Sequence, residues 1–146
     1  MLKQLSVFIE NKPGRLSEVT GFIAEAGINI HALCIADTTD FGILRLIVND
    51  ADKAKKVLKD RGLTVKTTDV LAISLTHKPG SLAGVLRALD TVGVSIEYMY
   101  AFTSRDAAYD AMVVLCLSDQ EKIMEKVKSC GVPLVDADMI SRLNEL

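Results

Sequence analysis

With 146 residues, 49% of them hydrophobic and 25% charged, the chain holds enough Val, Ile and Leu for packed cores, which excludes intrinsic disorder. A formal net charge of −2 without any run of Lys or Arg excludes a basic surface for nucleic acid or anionic membrane as the main partner. Cys34, Cys116 and Cys130 are odd in number and far apart, which fits neither a disulfide framework nor a paired metal site. No apolar run approaches a membrane span and the amino terminus has no leader pattern, so the expectation is a soluble, cytoplasmic chain.

The sequence repeats itself. Residues 5–35 (LSVFIENKPGRLSEVTGFIAEAGINIHALCI) align with residues 71–101 (LAISLTHKPGSLAGVLRALDTVGVSIEYMYA), with Pro13 and Pro79 setting the register. The repeat divides the chain into two modules, residues 1–68 and 69–146, each of roughly 70 residues.

In chain order, Leu5, Val7 and Ile9 alternate and predict a half-buried first strand. After Lys12-Pro13-Gly14 the period changes, and Leu16, Val19, Ile23 and Ala26 predict a helix that ends at Gly27. Ile28 to Asp37 and Ile43 to Asn49 read as strands joined by a polar hairpin. A second helix starts near Asp50 and closes at Gly62, before a short strand at Leu63 to Thr67.

The second copy follows suit. Leu71, Ile73 and Leu75 predict a strand; Leu82, Val85, Leu89 and Val92 a helix up to Gly93; Val94 to Thr103 and Ala111 to Leu117 two strands. Ser118 and Glu121 have capping-box spacing at the start of a helix that closes at Gly131, and Pro133 to Val135 form the last strand. The junction at Thr68 to Val70 leaves no room for a flexible linker. Met139, Ile140 and Leu143 predict a short carboxy-terminal helix.

The order βαββαβ, twice over, is the ferredoxin-like α+β plan: a four-stranded antiparallel sheet with both helices on one face. If Leu44, Leu46 and Val48 face the helices, then Ile43, Arg45 and Ile47 lie on the open face, as do Met112, Val114 and Cys116 in the second copy. That face is too apolar to stay wet, so a cover is expected from the sister module, the carboxy-terminal tail or another subunit.

The repeated loop carries the chemistry. A strand followed by Pro-Gly and a helix leaves the N–H groups near Arg15, Leu16 and Ser17, and near Ser81, Leu82 and Ala83, at one point, where an anion such as a carboxylate is favoured. Gly14 and Gly80 carry no Cβ and permit close approach of a ligand, while Pro stiffens the turn. Asn11 beside the turn and Asn29 at the start of the second strand add amides. His77 reads equally as a ligand contact and as an exposed turn residue. His31 and Cys34 point to opposite faces of a strand, against a metal site. Tyr98, Tyr100 and Phe102 alternate on one face as core or interface residues.

Ile9-Glu10-Asn11-Lys12-Pro13-Gly14-Arg15-Leu16, followed after one helix by Gly27-Ile28-Asn29-Ile30, resembles the signature of ACT domains, the small-molecule regulatory modules of amino-acid metabolism. Pro79-Gly80-Ser81-Leu82 with Gly93-Val94-Ser95-Ile96 extends the likeness to the second copy. The likeness is greatest to the serine-binding type attached to phosphoglycerate dehydrogenase. It implies that a free amino acid binds between two modules placed edge strand to edge strand, with loop amides on its carboxylate. It further implies that Asn11 of one module and Asn29 of its neighbour hold the ligand. The side chain that contributes one strand residue earlier in that family is here Ile9 or Leu75, and His77 and Ser95 replace the two amides in the second copy.

The sequence thus predicts a non-catalytic amino-acid sensor, with no catalytic set, no metal and no cofactor. Its binding residues are Asn11, Lys12, Pro13, Gly14, Arg15, Leu16, Asn29 and Ile30, with His77, Pro79, Gly80, Ser81, Leu82, Ser95 and Ile96 in the second copy. Expected partners are the amino acid, a second copy in a homodimer, and a regulated enzyme or regulator. The alternative is an interaction module with degenerate pockets that dimerises or docks on a client.

Overall fold

The computed structural model describes residues 1–37, 40–103 and 111–136. They form two compact units, one of Lys3–Asp69 and one of Met1–Leu2 with the described residues from Val70 on. In the first unit, β1 (Leu2–Glu10), α1 (Arg15–Glu25), β2 (Ile30–Asp37), β3 (Phe41–Val48) and α2 (Ala51–Asp60) precede β4 (Thr64–Leu75). The strand order is β2-β3-β1-β4, and β3 runs antiparallel to both β1 and β2, with Val7 opposite Leu44 and Ile35 opposite Leu44.

The second unit uses the later part of β4, then α3 (Ser81–Thr91), β5 (Ile96–Thr103), β6 (Ala111–Leu117), α4 (Gln120–Ser129) and β7 (Leu134–Val135), in the order β7-β4-β6-β5. Both units are the ferredoxin-like α+β plan. One expectation is corrected here. The short strand at Leu63 to Thr67 and the strand of Leu71 to Leu75 are not separate; they are parts of the single strand β4. Between them stand only Thr68, Asp69 and Val70, with no Gly or Pro to turn the chain, and two of the three are β-branched and favour extension.

The core of the first unit follows from the two periodicities. Leu5, Val7, Ile9, Leu44, Leu46 and Val48 supply the sheet face, and Val19, Ile23, Ala54 and Leu58 the helix stripes packed on it. In the second unit Leu71, Ile73, Val113, Leu115 and Leu117 meet Leu89 and Val127. Truncating one such fully buried Leu to Ala costs about 2–5 kcal/mol. Of the residues expected on the opposite face, Ile47, Met112, Val114 and Cys116 are buried and Ile43 and Arg45 half-buried.

Helix α2 begins where Asp50 accepts a hydrogen bond from the Lys53 N–H at 2.9 Å. Helix α4 does not use the expected capping box. Asp119 precedes it at φ 52°, in the left-handed region and without a side-chain cap, while the Ser118 hydroxyl donates to Glu97 Oε1 at 3.2 Å. The left-handed Asp119 takes the cap position, so Ser118 precedes the cap and Glu121 is the second helical residue, not the third. The predicted carboxy-terminal helix, with Met139, Ile140 and Leu143, lies outside the described residues.

Candidate functional site

The two Pro-Gly turns fold alike because their sequences require the same backbone. Gly14 sits at φ 83° and Gly80 at φ 88°, the left-handed region that residues with a Cβ enter at a cost of roughly 1–2 kcal/mol. A Cβ at either glycine would meet no heavy atom within 4 Å, so conformation, not crowding, demands glycine here. The Arg15 N–H donates to Lys12 C=O and the Ser81 N–H to Lys78 C=O, both at 3.2 Å, closing the turns. The helical ladder opens with Glu18 N–H on Gly14 C=O at 2.9 Å and Gly84 N–H on Gly80 C=O at 2.8 Å. Of the amides expected at the anion point, those of Arg15 and Ser81 are therefore engaged by the turn. The N–H groups of Leu16 and Ser17, and of Leu82 and Ala83, stand ahead of the first rung.

The first turn borders a pocket of about 240 Å³ that takes in Asn11, Lys12, Arg15 and Leu16. Its remaining walls are Glu10, Ile9 from β1, whose place beside the ligand the resemblance implies, and two residues that the sequence reading did not place in the site: Ile35 from β2 and Gly42 from β3. The register explains their convergence, since Ile9 lies opposite Gly42 and Glu10 opposite Phe41. The Asn11 N–H donates to Asp40 C=O at 3.0 Å, tying the loop to the strand beside it.

The charges around this pocket are paired. Lys12 Nζ lies 2.6 Å from Glu10 Oε2, and the hydrogen bond to Lys12 holds the Glu10 carboxyl below the usual carboxylate range. Arg15 Nη1 lies 2.6 Å from Glu18 Oε2, one turn further along α1. The Arg15 Nε is buried and has no hydrogen-bond partner among the described residues. It is a donor left over after the ion pair is made.

Asn29 and Ile30 are placed elsewhere. Asn29 is exposed and immediately precedes β2, with its N–H donating to Asn49 Oδ1 at 3.1 Å and its C=O accepting from the Asn49 N–H at 3.2 Å. Ile30 pairs with Val48, whereas the loop end of β2, Asp37, pairs with Gly42. Eight strand residues, on the order of 25 Å, therefore separate Asn29 from the Asn11 turn of the same unit. In the second unit the Ser118 N–H donates to Ser95 C=O at 3.0 Å, and Ile96 begins β5 at the same distance from its loop.

His77, Pro79 and Leu82 are exposed at the second turn, and Ser81 is half-buried with its hydroxyl 3.1 Å from that of Thr76. A larger pocket of about 490 Å³ opens beside this turn, but on its other flank, against β7: it includes Gly80 and Ser81 with Gly84, Val85 and Pro133. No group of three or more metal-ligating side chains occurs among the described residues. No described helix is long and apolar enough to cross a membrane.

Residues 1–130 match the family described as an ACT domain pair. The chain belongs to that family. A Bacteroides thetaiotaomicron protein of known crystal structure is 50% identical to this ACT pair, with a TM-score of 0.85 over 99% of this chain and 96% of that one. The probable acetolactate synthase small subunit of Archaeoglobus fulgidus is 27% identical over 130 residues, which cover 84% of this chain and 82% of that protein. The acetolactate synthase isozyme 3 small subunit of Escherichia coli is 34% identical over 74 residues, 51% of this chain and 45% of that protein. The chain is thus matched over less than half of the length of the bacterial small subunit. The likeness to the phosphoglycerate dehydrogenase type rests on the loop residues and on Gly27 to Ile30 at the start of β2.

Proposed function

We propose that this ACT pair is a non-catalytic regulatory protein that binds a free amino acid at the Asn11 turn and transmits binding through assembly. The observation that carries this reading is the first pocket. It brings together a carboxamide at Asn11, the N–H groups that open α1, the unpaired Nε of Arg15, and an apolar wall of Ile9, Leu16 and Ile35. The positive ends suit the ligand's carboxylate, and the wall suits an aliphatic side chain.

No second side-chain amide lines the pocket among the described residues, and Asn29, the amide that the resemblance implies, is held far away in the same unit. The reading therefore needs Asn29 from the first module of a second copy in a homodimer. A ligand gripped by both favours the assembled form by linkage. The Archaeoglobus fulgidus and Escherichia coli relatives are small subunits, which supports a separate, larger subunit as the client. Substitution of His77 and Ser95 for the amides supports a second reading for the other copy, that of an interaction surface without an amino-acid ligand.

A thermal-shift screen against the common amino acids tests the proposal. A ligand present at 100 times its dissociation constant adds about 2.7 kcal/mol of stability. At least one aliphatic amino acid is expected to raise the transition, and no shift with any amino acid would remove the sensor reading.

A further inference from the structure

Gly42, on the wall of the first pocket, is glycine for neither of the usual reasons. It lies within β3, opposite Ile9, where glycine weakens a strand because it brings no side chain to pack. Its φ lies outside the left-handed region that Gly14 and Gly80 occupy, so conformation does not demand it. Crowding does not demand it either. A Cβ there would meet Ile9 Cγ1 and Ile35 Cγ2 at 3.6 Å and the Ala36 carbonyl oxygen at 3.8 Å, all ordinary contact distances.

What the glycine does is leave space inside the site. Gly42 and Ile9 form the buried end of the pocket, whereas Asn11, Lys12 and Leu16 stand at its exposed mouth. The missing methyl group would occupy the point where the Ile9 and Ile35 walls meet. The second copy supplies the contrast. Leu75 stands opposite Ala111 as Ile9 stands opposite Gly42, and the aligned repeats set Ala101 against Ile35. There a methyl group stands where Gly42 has none, so the glycine belongs to the first copy and not to the shared fold. Glycine inside a strand often marks the close approach of a ligand.

We propose that Gly42 sets the side-chain size accepted at the Asn11 turn: the bound amino acid lays its aliphatic side chain on the Gly42 backbone, between Ile9 and Ile35, and a methyl group at residue 42 excludes the longer side chains. This role rests on the amino-acid reading of the first pocket. With the ligand's carboxylate held at the mouth, by Asn11 and the N–H groups that open α1, the apolar end is left for the side chain. One methylene more or less in an apolar pocket changes discrimination by about 10–200-fold.

The test titrates alanine, 2-aminobutyrate, valine and leucine, whose side chains grow by one carbon at each step, into the full chain and into its Gly42→Ala variant by calorimetry. Wild-type affinity is expected to rise along the series. In Gly42→Ala, leucine should bind at least tenfold more weakly than in the wild type, and alanine within about threefold of it. Without ligand the variant should unfold at or above the wild-type transition, because Ala at an unstrained position lowers the entropy of the unfolded chain. An equal loss at every side-chain length, or no loss, would overturn the role of Gly42 and leave the amino-acid site standing. A wild-type affinity that does not rise along the series would overturn it as well. So would a ligand-free variant less stable than the wild type, which would give the glycine a structural reason. Binding of none of the four to the wild type also overturns this role, and the screen of the common amino acids then decides the sensor reading separately.

Discussion

Gly14 and Gly80 adopt φ values of 83° and 88° and launch helices of the same length, yet the side chains set around them differ at almost every contact position. Around the first turn stand Glu10, Lys12, Arg15 and Glu18, joined in two 2.6 Å ion pairs. Around the second, Thr76, Ser81 and Gly84 take the places of three of these. Duplication therefore preserved the backbone device that opens the helix and released the chemistry built on it. The lesson is that a repeated turn motif reports a shared fold element, whereas the residues one helical turn away differ between the copies.

The comparison is broken most strongly at the glycines. Gly14→Ala and Gly80→Ala should each cost about 1–2 kcal/mol, since the left-handed conformation and not the neighbouring space is at issue. Chemical unfolding of both variants checks this, and a large cost at one turn with none at the other would show that the turns are not equivalent.

A smaller effect separates the later helices. Asp50→Ala removes a real amino-terminal cap from α2 and should cost about 1 kcal/mol. Ser118→Ala removes only a hydroxyl bond to the exposed Glu97 and should cost less than half of that. Equal losses in the same unfolding assay would restore the capping box that the structure lacks.

The smallest effect distinguishes the two β-bulges. Both second strands of the repeat shift register at the same place, so that His31 bulges from β2 and Glu97 from β5. Glu97 accepts from Ser118 and from Cys116 Sγ, whereas His31 Nε2 is buried without a hydrogen-bond partner among the described residues. Burial lowers the His31 pKa below its usual value of 6.5 by penalising the charged ring. The folded state then binds fewer protons than the unfolded one, so this contribution to stability is complete above pH 6.5 and declines as the pH falls from there toward the lower, folded pKa. Stability measured at pH 7.5 and 5.5 should fall more steeply in the wild type than in His31→Gln. Parallel profiles would contradict the burial argument.

Much of this was legible in the residues. The alternation of Leu5, Val7 and Ile9 and the helical spacing of Leu16, Val19 and Ile23 specify both the elements and the core they form. Gly62 and Gly131 end helices at φ 81° and 73°, as their positions predict. The unbroken β4 escaped the reading because strand ends were placed where the repeat ended, although Thr68-Asp69-Val70 contains no turn former. The walls of the first pocket from β2 and β3 escaped because Ile35 and Gly42 reach the loop only through strand pairing, which no local pattern encodes. The replacement of Arg15 and Glu18 by Ser81 and Gly84 was visible in the aligned repeats; its meaning depended on knowing that both face one space.

The central claim is that the first module binds a free amino acid with Asn11 and with Asn29 of the first module of a second copy. Asn29 is suited to a clean test because its backbone is held by Asn49, so that Asn29→Ala removes the carboxamide and leaves the chain in place. Calorimetric titration of the amino acid found by thermal shift should show first-site affinity weakened at least tenfold in Asn29→Ala and within about twofold of wild type in Ser95→Ala, consistent with the loss of a charge-assisted hydrogen bond. Superimposable isotherms for wild type and Asn29→Ala would contradict it.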